Sequence, residues 1–290
     1  MNAFHLFLSI NIFCIIFLSS TGNESMIPSE CSITASTPVE QLPTSNCECL
    51  PHCDSWEKPA PSRKPTCFFF DLGVEVAQST LAFFGEGSAR SCRYGSLTHK
   101  VFDRNWFHSN ICGWETDKVI KLFEQFTWPK LSEHGFSNTT KQCQAILVEP
   151  SLHFQKLLTV MKAEYGDRVE IYNPAAIYQC DSSSLLFNDD KQKRSAILAS
   201  QHKRAVRSIN LARLLTNKVR KEDFLVLKVD IEGGEYSLLD CLVKSPAIDL
   251  VDQLWLERHD FWVNKDSSER LNAILKTIEQ KGIYVNQKWP

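Results

Sequence analysis

The 290-residue chain carries 32 Lys and Arg against 34 Asp and Glu, a formal net charge of -2, which gives no electrostatic case for nucleic acid as a partner. A chain of this length buries a full core, and one domain of about 200–230 residues with appended segments is its natural division. No internal repeat is visible.

Phe4 to Leu18 is an apolar run broken by His5, Ser9 and Asn11 and followed by the small residues Ser19, Ser20 and Gly22. It falls short of the about 20 apolar residues that span a bilayer and suits the core of a signal peptide. No positive charge precedes it, which keeps an uncleaved signal anchor open as a second reading. Residues 1–20 therefore direct the rest of the chain into the secretory pathway, secreted or lumenal, with a membrane contact expected only if the segment is retained. Residues 21–64 are rich in Ser, Thr, Pro and Cys, without helical or strand periodicity, and read as a linker. Residues 65–290 form the globular part.

Cysteine usage agrees with that compartment. Of 11 cysteines, Cys14 lies in the targeting segment, and 11 less one leaves ten, an even number suited to disulfides. The cluster Cys47, Cys49, Cys53 has no paired C-x-x-C or H-x-x-x-H partner, which favours disulfides over zinc. Asn23 and Asn138 head glycosylation triplets, meaningful in a secreted chain.

The first strand is expected at Cys67 to Phe70, closed by Asp71 and Gly73. A glycine there lets the backbone turn tightly toward a ligand and feed a helix amino terminus. Phe84 to Cys143 is longer than one helix and turn, and reads as a surface insertion with one or two helices, such as Asp117–Phe126. Asn110 to Glu115 is a second candidate strand ending in an acid. Gln144 to Val148 is a buried-type strand ending in Glu149, with Pro150 suited to the first turn of a helix over His153 to Met161. An acid at that strand end accepts hydrogen bonds from ribose hydroxyls. Its plainer alternative is a helix-capping glutamate.

Arg168 to Tyr172 reads as a third strand, followed by the turn Asn173-Pro-Ala-Ala. Asp181 to Lys193 is a loop or hairpin, and a helix follows around Asn210–Leu215. The basic runs Lys191–Arg194 and His202–Arg207 read as a solvated loop and helix face. Phe224 to Val229, apolar except for Lys228, reads as a strand buried on both faces. It switches abruptly to Asp230, Glu232, Gly233, Gly234 and Glu235, and a helix follows over Tyr236 to Val243. Polar groups at the carboxyl end of a buried strand are where open α/β sheets place ligands. Leu250 to His259 reads as a fifth strand ending in Glu257 and His259. Leu271 to Ile278 is an amphipathic helix, and Gly282 to Val285 a closing strand.

Lys228-x-Asp230-x-Glu232-Gly233-x-Glu235 resembles the signature of FkbM-type methyltransferases, and four further elements, in the same order, support it over Cys67–Phe261. Asp71, Gly73 and Thr80 match D-x-G-x-x-x-G-x-x-T, although Ala77 replaces the second glycine and Glu75 stands where relatives commonly carry a neutral residue. Val148-Glu149-Pro150 and the acid-x-His ending at Glu257 and His259 match as well. The resemblance implies a Rossmann-like class I methyltransferase α/β fold: a mostly parallel sheet with helices on both faces and a long insertion after the first strand–helix unit. It implies S-adenosylmethionine as cofactor and O-methylation of a hydroxyl on a glycan, lipid or small metabolite. Asp71, Gly73, Thr80, Glu149 and Ala176 (with Ala175, near the adenine) are then the cofactor residues, with Glu149 preferred over Glu115. Asp230, Glu232, Lys228 and His259 are the catalytic ones, with Asp230 or His259 as base. No metal is expected, since the spacing of Asp230, Glu232 and His259 matches no dedicated metal motif. Two other classes are weighed: an inactive secreted binding protein on this fold, favoured by Glu75 and Ala77, and a nucleotide-sugar transferase, for which a D-x-D metal site is wanting. Nothing in the sequence fixes an oligomeric state.

Overall fold

The computed structural model describes residues 60, 63–96, 115–136, 140–179, 181–188, 203–260 and 265–287. The targeting segment, nearly all of the linker, both glycosylation acceptors and the basic run Lys191–Arg194 lie outside them.

Six strands form the main sheet: β1 (Cys67–Leu72), β2 (Gln144–Val148), β3 (Val169–Tyr172), β7 (Phe224–Val229), β8 (Gln253–Leu256) and β9 (Tyr284–Asn286). They run in the order β3-β2-β1-β7-β8-β9, and every ladder between them is parallel. The chain works outward from β1 to β3, then returns to the other side of β1. The strand order therefore reverses between β1 and β7, the place where open α/β sheets bind ligands.

Alternation along the strands sorts the core into two layers. Phe68, Phe70 and Leu72 join Leu225, Leu227 and Val229 on one face, with residues of α6 (Leu211–Lys218), α7 (Glu235–Leu242) and α8 (Lys265–Gln280). Phe69, Ala145, Leu147, Val226 and Trp255 point the other way, toward α1 (Gln78–Phe83), α3 (Glu115–Phe126) and α5 (Gln155–Tyr165). A period of two in a strand with both faces covered forces this division and explains the unbroken apolar run of β7. On the second face Phe69 stacks on Phe83 at 4.5 Å and meets Phe123 edge-on at 5.8 Å. A disulfide between Cys67 and Cys143 ties the start of β1 to the residue before β2, and Cys92 and Cys241 are also disulfide-bonded.

The insertion holds three described helices, α2 (Ser88–Gly95), α3 and α4 (Trp128–Glu133), where one or two were expected. Asn110 lies outside the described residues, but Glu115 opens α3 and does not end a strand. A second sheet is the larger departure. β4 (Ala175–Tyr178) pairs parallel with β6 (Lys203–Asn210), and β6 pairs antiparallel with β5 (Ser182–Asn188). The turn expected through Ala176 is therefore the start of a strand, and Lys203–Arg207 lies in a strand where a helix face was expected. Val206 and Ser208 are buried while Ala205 and Arg207 are exposed, a period-two pattern that the run of charges obscures.

Candidate active site

The site forms where the turns after β1 and β7 meet. Gly73 has φ +82°, and a Cβ built there would lie 1.6 Å from the carbonyl oxygen of Asp230. The main chains run against each other at this point, with Asp230 N donating to Leu72 O at 3.0 Å. Glycine is needed for both reasons. Further along the turn, Glu75 and Ala77 also take positive φ, 46° and 59°. The left-handed conformation costs a residue with a Cβ roughly 1–2 kcal/mol, and Ala77 holds it at the N-cap of α1 with its methyl wholly buried in the core. The methyl that replaces the second motif glycine thus fills the core and does not project into open space.

Asp71 is fully buried. Its Oδ2 accepts from Ser79 Oγ at 2.5 Å and Thr80 Oγ1 at 2.6 Å, and its Oδ1 faces Lys228 Nζ at 3.2 Å. Lys228, itself buried, also donates to Gly73 O at 2.7 Å and to Asp230 Oδ2 at 2.9 Å. Burial pushes the Lys228 ammonium down, but the charges of Asp230 and Asp71 and the Asp230 hydrogen bond outweigh it and raise its pKa. One lysine therefore knits the ends of β1 and β7 together. The side chains of Asp71 and Thr80 are turned inward, where they fix the turn and the first helix.

Glu149 follows β2 and is buried. Its Oε2 accepts from Glu75 N at 3.0 Å and its Oε1 from Ser151 N at 2.7 Å. Burial raises its pKa to about 8 against the pull of those two donors. Ala175 N donates to Glu149 O at 3.1 Å, which brings β4 alongside this acid. Ala176 is buried in a small cluster with Leu185 and Val206 in the second sheet.

After β7 the chain turns through Glu232 and Gly233 with φ 52° and 96°. Backbone strain in a non-glycine residue is often kept where a side chain must be aimed. Here Glu232 Oε2 reaches 3.2 Å from His259 Nε2. Asp230 Oδ1 and Glu257 Oε1 each lie 3.8 Å from the same nitrogen. The other ring nitrogen, Nδ1, is 2.8 Å from Glu235 Oε1. Glu235, fully buried in the first turn of α7, also accepts from Ile231 N and Gly233 N, both at 2.9 Å. Burial pushes the imidazole pKa down, but the Glu235 hydrogen bond and the charges of Glu235, Glu232 and Asp230 hold it up to about 9. At neutral pH the ring carries its proton in this state.

The structure thus gathers Asp71, Lys228, Asp230, Glu232 and His259 into one cluster, sets Gly73 against it, and links Glu149 to the same turn through Glu75 N. Ala176 and Glu115 stand apart from it, in the second sheet and in the insertion. Ser79 was not singled out from sequence, while Glu235, in the signature, and Glu257, in the acid-x-His ending, were named without a site role. An acid in the first turn of a helix is the signal that marks Glu235, but its histidine partner comes from a strand end 24 residues on.

Comparison with known proteins gives one match. A family model described as the methyltransferase FkbM domain matches residues 131–283, just over half of the chain. No curated protein and no solved structure matches. The matched stretch begins after β1, yet β1 pairs with β2 and β7 inside the same sheet. No helix among the described residues is long and apolar enough to cross a membrane.

Proposed function

The chain belongs to the FkbM methyltransferase family, and on that premise we propose that it uses S-adenosylmethionine to methylate a hydroxyl group in the secretory pathway. The observation that carries the reading is the meeting of two features at the β1/β7 reversal: a buried acid after β2, and a carboxylate–histidine cluster after β7 and β8. The first suits the ribose of a nucleoside cofactor, and the second suits a hydroxyl that must lose a proton.

The residues fit the cofactor by chemistry. Glu149 presents a carboxylate to ribose hydroxyls, already oriented by two backbone donors, and the tight turn from Gly73 to Ala77 lets the main chain approach the cofactor's amino-acid end. Asp71 and Thr80 hold that turn through Ser79, Lys228 and each other. When bound, the cofactor would supply a methyl group on a sulfonium sulfur, for transfer to the acceptor oxygen. Asp230 takes the hydroxyl proton, with Lys228 on its Oδ2 fixing its orientation. His259, anchored by Glu235, and Glu232 orient the acceptor, because placement is the main task in an in-line displacement. The acceptor is a hydroxyl of a glycan, lipid or small metabolite, the classes expected in that compartment. The Cys67–Cys143 disulfide is compatible with a secreted or lumenal protein.

Calorimetric titration of the disulfide-intact domain with S-adenosylmethionine and S-adenosylhomocysteine tests the reading. Micromolar binding, weakened in Glu149→Ala, is the expected result. A folded domain that binds neither compound would leave a binding protein on a methyltransferase fold. Full transferase activity in both Asp230→Asn and His259→Ala would sink the catalytic assignment.

A further inference from the structure

The cluster after β7 and β8 contains more than proton transfer and positioning require. Asp230, Glu232 and His259 each offer one ligand atom, and these atoms lie within 4.8 Å of one another. Ligands about 2.1 Å from a small divalent ion stand about 3 Å apart at adjacent positions. The observed separations of 3.2 Å from His259 Nε2 to Glu232 Oε2 and 3.8 Å to Asp230 Oδ1 are close to that spacing.

The histidine is prepared in a specific way. Its ring is buried, and Nδ1 is held by Glu235, a carboxylate whose two oxygens are further fixed by the backbone N–H groups of Ile231 and Gly233. That leaves Nε2 as the atom directed at the two carboxylates, and an ion bound there takes the place of its proton, which is released to solvent. A histidine that binds a metal through one nitrogen while a carboxylate holds the other is the usual outer-shell arrangement. Asp71 and Asp230 share Lys228, and Glu232, Glu235 and Glu257 gather at His259.

We propose that Asp230, Glu232 and His259 form a divalent-cation site of the Mn²⁺ or Mg²⁺ class, with Glu235 as the outer carboxylate that orients the histidine. Two carboxylates select a hard ion, and the imidazole favours Mn²⁺ over Mg²⁺. The role of the ion rests on the methyl-transfer reading. A carboxylate is a weak base toward an alcohol, and an ion on the acceptor oxygen makes that hydroxyl more acidic. The ion would also explain why a catalytic aspartate is surrounded by further acids.

The test uses the disulfide-intact domain, stripped with a chelator and titrated with Mn²⁺ at neutral pH, the free ion being followed by its paramagnetic resonance signal. One Mn²⁺ per chain is expected, displaced by excess Mg²⁺. Glu232→Gln and His259→Gln should each weaken binding at least about tenfold, and Glu235→Gln about 10- to 100-fold, with circular dichroism confirming that each variant is folded. Glu232 sits in a turn, so its variant keeps the test decisive if His259→Gln fails to fold. Absence of stoichiometric binding, or binding unchanged in folded Glu232→Gln, overturns the proposal. Titration of the same samples with S-adenosylmethionine separates the two ideas. Cofactor binding without the ion refutes the site and leaves the methyl-transfer reading standing; ion binding without the cofactor does the reverse.

Discussion

Replacing Lys228 with Met tests how the two halves of the site are joined. The substitution keeps side-chain length and removes the ammonium from between Asp71 and Asp230. Asp71 is fully buried, and its two hydroxyl donors both reach Oδ2, so Oδ1 loses the cation that stands 3.2 Å away. Breaking a buried pair by deleting one partner costs about 3–5 kcal/mol, because the remaining charge stays buried and unpaired. Asp230, less deeply buried, contributes little to that loss, since water reaches its carboxylate. The total is about a fifth or more of the about 5–15 kcal/mol that holds a typical domain. Urea unfolding with disulfides intact should show a midpoint lower by about 1 M or more, at a slope of about 3 kcal/mol/M. The double variant Asp71→Asn/Lys228→Met removes the orphaned charge and should recover at least half of the loss. A Lys228→Met domain within about 1 kcal/mol of the parent, or a double variant no better than the single, would refute the reasoning, for then the ammonium would not be compensating Asp71.

Gly73→Ala should lower the melting temperature by about 6 °C or more, given a loss of at least about 3 kcal/mol from the clash with Asp230 O and the positive φ; a smaller shift would mean that the two turns separate easily. Ala77→Gly should change stability by less than about 1 kcal/mol, because relief of the left-handed strain is offset by the lost buried methyl and added chain entropy, and the same melting assay reads it. Glu149 titrates at about 8 when folded against an ordinary 4.5, so its stabilising contribution is complete below about pH 4.5 and is lost as pH rises through 8. Unfolding midpoints between pH 5 and 8 should fall more steeply in the parent than in Glu149→Gln, and parallel profiles would count against the burial of that carboxyl. Hydroxyl donors from ribose favour the ionised form, so S-adenosylmethionine should bind more tightly as pH rises toward 8, with proton release visible as a buffer-dependent heat; an affinity flat from pH 6 to 8 would argue against Glu149 as its ligand.

Much of the α/β framework was legible in the sequence. Strands buried on both faces read as apolar runs, and β1, β2 and β7 each end abruptly in acids or glycine. Gly73 was singled out as a turn glycine, although its neighbour, the Asp230 carbonyl, comes from the turn after β7, far along the chain. The second sheet was not legible. In β6, charges interrupt the alternation, and its partners β4 and β5 read as a turn and as a loop or hairpin because both are short and carry little continuous apolar character. The acids at 149, 230 and 232 and the histidine at 259 could be named from strand ends and from the family signature, since local pattern marks where a strand stops. Their partners could not. Lys228 could be placed near Asp230 by spacing alone, but its contact with Asp71, the Glu235 hold on His259 and the approach of Glu257 are set by which strands lie side by side. Sequence determined the residue types available at the carboxyl edge of the sheet; only the parallel order β2-β1-β7-β8 decided which of them meet, because neighbours in a parallel sheet are chosen by crossover connections and not by nearness along the chain.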